Sequence, residues 1–256
     1  MEKTIFASDL DNTLLFSHKH ARPGDLCVEY LEGKAQGYLT GETPELLARI
    51  MEKALFVPVT SRSMEQYLRI SFPQTCRPRY ALTTNGAFLL VDGKPDPQWT
   101  RESEKLAAPW RPCLEEALGA LEAWPAPKRC RIVDGMFTFA ACDTPEEAQA
   151  LAEAMRDAFP LDMGVTGRKV YFFPPPINKG AALDRLRSRF GAERVLCAGD
   201  SPIDGPMLGR ADVAIAPRGI LPEQGGPARR EWDGSGRFYT FVLQQVLREV
   251  DGETAC

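Results

Sequence analysis

The stretch FASDLDNTLL, Phe6 to Leu15, ends an apolar run at two carboxylates, Asp9 and Asp11, set two positions apart. A buried strand does not host unpaired charge, and a surface loop spreads like charges, so this spacing requires something positive at the strand's end. Outward from it, apolar runs alternate with amphipathic ones. Strands are expected at Thr4–Ser8, Leu55–Val59 and Tyr80–Thr83, and helices at Glu42–Ala54 and Ser63–Ile70. That alternation is the pattern of a parallel sheet with helices on its faces. The first strand and first helix are unusually far apart. Between them CVEYLEGKAQGYLT reads as a hairpin turning near Gly33 to Gly37, and residues 16–41 are expected to form a flap over the end of the first strand.

From Phe88 the pattern changes. FLLVDGKP is hairpin-like, Pro109–Trp124 reads as a helix, and Arg129–Ala141 as two short strands turning at Asp134-Gly135. DTPEEAQALAEAMRDAF then reads as a helix capped by Asp143 or Thr144, with Pro145 and two glutamates in its first turn, and Lys169–Phe173 as a strand. Neighbouring strands with helices to one side predict an α+β module inserted into the host sheet. After Pro174-Pro175-Pro176 the alternation resumes: helix Asn178–Phe190, strand Arg194–Ala198, helix Ile203–Arg210, strand Val213–Ala216. A Pro- and Gly-rich loop over 217–236 then precedes a last helix, Arg237–Val250. The expected organisation is an α/β core in two parts, 1–86 and 175–256, with an α+β cap at 87–174.

The 256 residues are 44% hydrophobic, enough for a core with a sizeable insertion. A net charge of −4 gives no general attraction to nucleic acid or an anionic membrane, so neither is expected as a partner, and an anionic substrate must be drawn by local positive charge. No basic segment leading into an apolar one and no run of membrane-spanning length is evident, and a soluble cytoplasmic protein of unassigned oligomeric state is expected. Seven cysteines, an odd number without a C-x-x-C pair, read as reduced thiols filling core gaps. His18 and His20 are the only histidines and lack further metal ligands at sensible spacing.

In open α/β sheets reactive groups collect at the carboxyl ends of the strands. Here those ends deliver Asp9 and Asp11, then Thr60 and Ser61, then Asp200 and Asp204 in CAGDSPIDGPML, while Lys179 opens the helix after the insertion. Each has an ordinary reading. Asp9 fits a turn, Thr60 or Ser61 a helix cap, and the two late acids caps of a turn. A calcium loop from Asp9 is excluded by Leu14 at its sixth position and His20 at its twelfth. Lys179 is harder to dismiss, because a cation in a helix's first turn opposes the macrodipole unless an anion sits nearby.

The order acid pair, hydroxyl, insertion, lysine, acid pair resembles the haloacid dehalogenase (HAD) superfamily of phosphotransferases. Asp9, Asp11 and Thr13 match its D-x-D-x-T motif, Thr60 in TSR its hydroxyl motif, Lys179 in NKG its lysine, and Gly199, Asp200 and Asp204 its G-D-x-x-x-D motif. The insertion between the second and third motifs, just after TTNGA, resembles the Cof-like, sucrose-phosphatase-like branch with an α+β cap. Ile203 departs from it, since many members of the branch have Asn there, and Ser201 or Asn178 is the candidate for the missing contact.

The resemblance implies a Rossmann-like core and a phosphatase acting on a small phosphorylated metabolite such as a sugar phosphate. In it Asp9 is the nucleophile that forms an aspartyl-phosphate. Asp11 is the general acid and base. Mg²⁺ is held by Asp9, Asp11 through its carbonyl, Asp200 and Asp204. Thr60, Ser61, Lys179 and Asn178 hold phosphate. Substrate contacts are expected from Asn85 and, in the cap, from Arg131, Arg168 and Lys169, for a polar or second anionic group. Asp11 argues against a dehalogenase. A phosphomutase on the same site, or a binding protein on a degenerate HAD scaffold, are the alternatives.

Overall fold

A computed structural model describes residues 4–125, 127–221 and 226–252. Of the expected loop at 217–236, residues 222–225 therefore lie outside the described residues, as do 1–3 and 253–256 of the two core segments, Cys256 among them.

The first core segment contains β1 (Thr4–Ser8), β2 (Phe16–Ser17), β3 (Leu26–Leu31), β4 (Lys34–Leu39), α1 (Thr43–Met51), β5 (Leu55–Pro58), α2 (Met64–Leu68) and β6 (Tyr80–Thr83). Next come β7 (Phe88–Val91), β8 (Lys94–Pro95) and α3 (Pro97–Ala107), then α4 (Arg111–Ala123), β9 (Arg129–Val133), β10 (Phe137–Ala141), α5 (Pro145–Ala154), β11 (Asp162–Thr166) and β12 (Lys169–Phe173). The chain returns through α6 (Lys179–Phe190), β13 (Arg194–Ala198), α7 (Gly205–Leu208), β14 (Val213–Pro217), β15 (Ala228–Trp232) and α8 (Phe238–Asp251).

The central sheet has the order β15-β14-β13-β1-β5, parallel throughout. Four of its strands, β14, β13, β1 and β5, are buried on both faces, which is why they read as unbroken apolar runs. Because side chains alternate along β1, Ile5 and Ala7 pack on one face with Val57, Val195 and Leu183, and Phe6 on the other with Phe56, Leu196 and Val246. The helices between are set by ordinary caps. Ser63 and Gln66 form a capping box on α2, and Asn178 caps α6, which Gly191 ends in the left-handed conformation.

Over one end of this sheet stands a four-stranded antiparallel sheet, β11-β12-β10-β9, with α4 and α5 on its outer face. Leu114, Leu121, Leu151, Val170 and Phe172 form that outer layer, while Phe137, Phe139, Tyr171 and Phe173 face the core with Phe88 and Ile177. The α+β cap expected from the sequence is therefore present. The flap is a three-stranded sheet, β2-β4-β3.

Several local expectations change. Ala228–Trp232, inside the expected loop, pairs with β14 as an edge strand, where Arg229, Arg230 and Glu231 in succession hide the strand pattern. Asp162–Thr166 adds a cap strand, and Pro97–Ala107 adds a helix capped by Asp96. Leu89 and Trp99 pack in the same cluster as Val57 and Leu183, so the chain between Phe88 and Ala107 lies partly on the core. Tyr80–Thr83 heads an antiparallel meander with β7 and β8, touching the main sheet through the Val59–Leu82 bridge. The helices near 203–210 and 143–159 are shorter than expected, ending at Leu208 and Ala154.

Candidate active site

Asp9 follows β1 directly, its N–H donating to the Ala198 carbonyl of the next strand at 2.9 Å. The chain then turns tightly, with Thr13, Leu14 and Leu15 all donating backbone N–H to the Leu10 carbonyl. This turn brings the Thr13 hydroxyl to 3.4 Å from Asp9 Oδ2 and 3.3 Å from Asp200 Oδ1. Asp200 and Asp204 come from the end of β13. One oxygen of Asp204 accepts from the N–H groups of Asp200 and Ser201 and from the Ser201 hydroxyl, at 3.0–3.1 Å, which fixes the carboxylate.

The other oxygen meets Lys179. The ammonium donates to Asp204 Oδ1 at 2.6 Å and to Asp9 Oδ1 at 2.5 Å, and Lys179 is 1% exposed. Burial alone would lower its pKa, but Asp204 and Asp9 overrule that and hold it above the ordinary value. Burial raises Asp9 well above its ordinary value, Lys179 opposing and the neighbouring acids adding to the rise. Burial, with Asp204 next, pushes Asp200 up to about 7. The cluster therefore has more negative charge than one lysine balances.

Asp9, Asp200 and Asp204 each offer an oxygen within 4.8 Å of one another. Hard carboxylate oxygens, short of positive charge, suit a small divalent cation such as Mg²⁺. The donor set therefore fits the metal the sequence implied.

Asp11 points the other way, into a pocket of about 360 Å³ between core, flap and cap. Arg62 donates to both of its oxygens, Nε to Oδ2 and Nη2 to Oδ1, each at 2.8 Å. Burial would raise the Asp11 pKa, but Arg62 holds it below the ordinary carboxylate value. The same guanidinium reaches Glu29 of the flap, Nη1 to Oε1 at 2.9 Å.

The other candidates separate. Thr60 is fully buried after β5, its hydroxyl accepting from the Arg62 N–H at 3.2 Å. Ser61 lines the pocket, as does Tyr171 of the cap. Arg131 and Lys169 line the pocket as well, whereas Arg168 does not and donates instead to the Asp143 carbonyl at the outer surface. Both ends of the Asn178 side chain are engaged, Oδ1 accepting from Ala181 N–H and Nδ2 donating to the Pro175 carbonyl. Asn85 donates to the Ile177 carbonyl and faces a different cavity, beside Ile203 and Gly164. Ile203 there packs against cap strand β11, which accounts for an apolar residue at this motif position.

Glu29, Arg129 and Tyr171 were not singled out from the sequence, and Arg62 entered only as part of TSR. Its position directly after Thr60 and Ser61 was the available signal. The docked cap is fixed by Asp134 in its β9–β10 turn, which accepts from the Thr84 hydroxyl at 2.6 Å and Met64 N–H at 3.2 Å.

The fold is shared with several phosphatases and hydrolases of known structure. The chain is similar to the sucrose-phosphatase of Synechocystis sp. PCC6803, solved with sucrose and phosphate, with a TM-score of 0.60, 17% identity and 98% and 99% of the two chains covered. It is also similar to the C-terminal domain of trehalose-6-phosphate phosphatase of C. albicans, at 0.60, 11% identity and 99% and 93% coverage. A haloacid dehalogenase-like hydrolase of B. subtilis gives 0.59, 16% identity and 98% and 99% coverage. The chain thus shares with them a Rossmann-like core carrying an inserted cap. No protein-family model matches the sequence, and no curated protein matches it. No helix among the described residues is long and apolar enough to cross a membrane.

Proposed function

We propose that the protein is a Mg²⁺-dependent phosphatase that hydrolyses the phosphate monoester of a small organic metabolite in the cytoplasm. The observation that carries this is the convergence of Asp9, Asp200, Asp204 and Lys179 at adjoining ends of β1, β13 and α6, beside a pocket that core, flap and cap enclose together.

Asp9 attacks phosphorus through a carboxylate oxygen. The bond to the leaving alcohol breaks as the Asp9 acyl-phosphate forms, dividing one displacement into two. Asp11 gives the departing oxygen its proton, then takes one from the water that opens the acyl-phosphate. In the resting state Arg62 occupies both Asp11 oxygens, so Asp11 is poised as the base, and protonation needs one of those hydrogen bonds released. Lys179 and Thr60 face the phosphoryl oxygens, and Ser61 with Tyr171 closes the site against water. Asn178 acts indirectly, by capping the helix that starts at Lys179. When held by Asp9, Asp200, Asp204 and the Asp11 carbonyl, Mg²⁺ supplies positive charge against the acids and the phosphoryl group. We place the start of the cap beyond Ala107, where packing on the core ends.

Phosphate release from aryl and sugar phosphates, with Mg²⁺ or chelator, tests this in wild type and Asp9→Asn. Turnover that needs the metal and disappears in the variant is expected. Equal turnover by Asp9→Asn removes the assigned nucleophile.

A further inference from the structure

The inner face of the cap sheet can be read rank by rank across its strands. Lys169, Ala141 and Arg129 form one rank, Tyr171, Phe139 and Arg131 the next, and Phe173, Phe137 and Val133 the third. The second and third ranks give an aromatic floor, with ring centroids 5.3 Å apart for Phe139–Tyr171 and 4.9 Å for Phe137–Phe173. The cations stand along its edge.

Five cations and two carboxylates line this pocket, in a chain whose net charge is −4. The two carboxylates, Asp11 and Glu29, are already engaged by Arg62, and Arg69 also lies on Glu29. Arg129, Arg131 and Lys169 are left over. Among the described residues none of the three forms an ion pair, and Arg129 leans its guanidinium over the Phe139 ring instead, at 5.8 Å. The Nε of Arg131 is buried without a hydrogen-bond partner. A guanidinium N–H desolvated without a partner is costly, and a half-closed cleft of one sign concentrates anions.

The phosphoryl group in transit does not account for this surplus. Asp9, Lys179, Asp200 and Asp204 are absent from the pocket's lining, whereas Asp11 and Ser61 belong to it. The unpaired cations therefore face the part of the substrate that leaves.

Resting on the phosphatase reading, we propose that the leaving group carries a second anionic group, a carboxylate or a second phosphate. Arg131, Lys169 and Arg129 receive that group, and the carbon frame lies over Phe139 and Tyr171. Arg and Lys suit this task because charge-assisted hydrogen bonds to carboxylate or phosphate are the strong ones. The expected cap contacts Arg131 and Lys169 are retained in this assignment, Arg129 joins them, and Arg168 is replaced.

The test compares matched probes: glucose 6-phosphate against 6-phosphogluconate and glucose 1,6-bisphosphate, and glycerol 3-phosphate against 3-phosphoglycerate. Binding of each to Asp9→Asn with Mg²⁺ is measured by calorimetry, and phosphate release is measured with wild type. The doubly anionic member of each pair is expected to bind about tenfold more tightly or better. In Arg131→Gln/Lys169→Gln that ratio is expected to fall toward one, while Arg131→Lys keeps most of it. A ratio within one protein is independent of the fraction folded. Preference for the bisphosphate alone identifies a second phosphate, and equal gains from the carboxylates identify anionic charge as such. Equal binding within every pair, or a ratio the double variant leaves unmoved, overturns the proposal. If the ratio holds but wild type releases phosphate from no probe, the phosphatase reading fails and the anion subsite stands. Phosphate release without a ratio has the reverse meaning.

Discussion

Arg62 ties Asp11 to Glu29, gripping the first through two parallel hydrogen bonds of 2.8 Å and the second through one of 2.9 Å. One guanidinium thus links the turn after β1 to the flap, and it sets the state of the assigned acid and base. Replacing it with Gln removes the cation that keeps Asp11 below its ordinary pKa. The Asp11 pKa then rises, and the acid limb of the kcat profile, where the base form is lost, moves to higher pH. Misplacement of Asp11 is expected to lower kcat about 100-fold, within the usual worth of a positioned acid or base. A pH profile of Arg62→Gln with its limb unmoved sinks the assignment of Asp11.

Lys179→Met leaves Asp9 and Asp204 facing each other without their shared ammonium. Breaking a buried pair from one side is costly, so metal-free variant protein at pH 7.5 should lose about 3 kcal/mol of unfolding free energy. The loss should shrink toward pH 5, because the orphaned carboxylates escape by taking up protons. Denaturant melts at the two pH values measure this. An equal loss at both would mean that Lys179 acts by packing, not charge.

Metal and pH should be linked through the same acids. Burial raises Asp9 and pushes Asp200 from its ordinary 3.8 up to about 7, so the metal-free native state holds protons that the unfolded chain has released. Stability contributed this way is present at low pH and lost as pH rises between those two values. A cation at the cluster displaces the protons and binds more tightly as pH rises. In chelator, the thermal midpoint should fall from pH 5 to pH 8. The gain on adding Mg²⁺ should be larger at pH 8 than at pH 5. A gain that does not depend on pH contradicts Asp200 as a ligand.

Much of this was legible because motif and strand coincide. Asp9, Thr60 and Asp200 each follow an apolar run buried on both faces, and such runs stand out without a structure. What stayed hidden depended on partners remote in sequence. Strand β15 lies at an edge and carries three charged residues in a row, β11 has a glycine at its centre, and α3 shows only a narrow buried stripe, Trp99, Ser103 and Ala107. Side-chain direction in the cap was equally out of reach. Arg129 and Arg131 share a face with Tyr171 because of strand register, while Arg168 sits in the turn before β12, and the three look alike as sequence. Glu29 reads as a solvated flap residue until Arg62 arrives from 33 positions away to bury it.

Gly199 makes the most local prediction. A Cβ there would lie 2.5 Å from the Cβ of Asp204, 2.7 Å from its Cγ and 2.9 Å from Oδ2, so Gly199→Ala must push that carboxylate aside. The displaced oxygen is the one held by Asp200 N–H, Ser201 N–H and the Ser201 hydroxyl, and its partner oxygen faces Lys179. Disturbing groups that orient a metal ligand typically weakens metal binding about 10- to 100-fold, and the Mg²⁺ concentration for half-maximal activity should rise by that factor. Gly205→Ala, whose new methyl meets nothing within 4 Å, separates this effect from the general cost of altering the loop. If both variants need the same Mg²⁺ as wild type, Asp204 is held for the sake of Lys179 alone, and the ligand set contracts to Asp9 and Asp200.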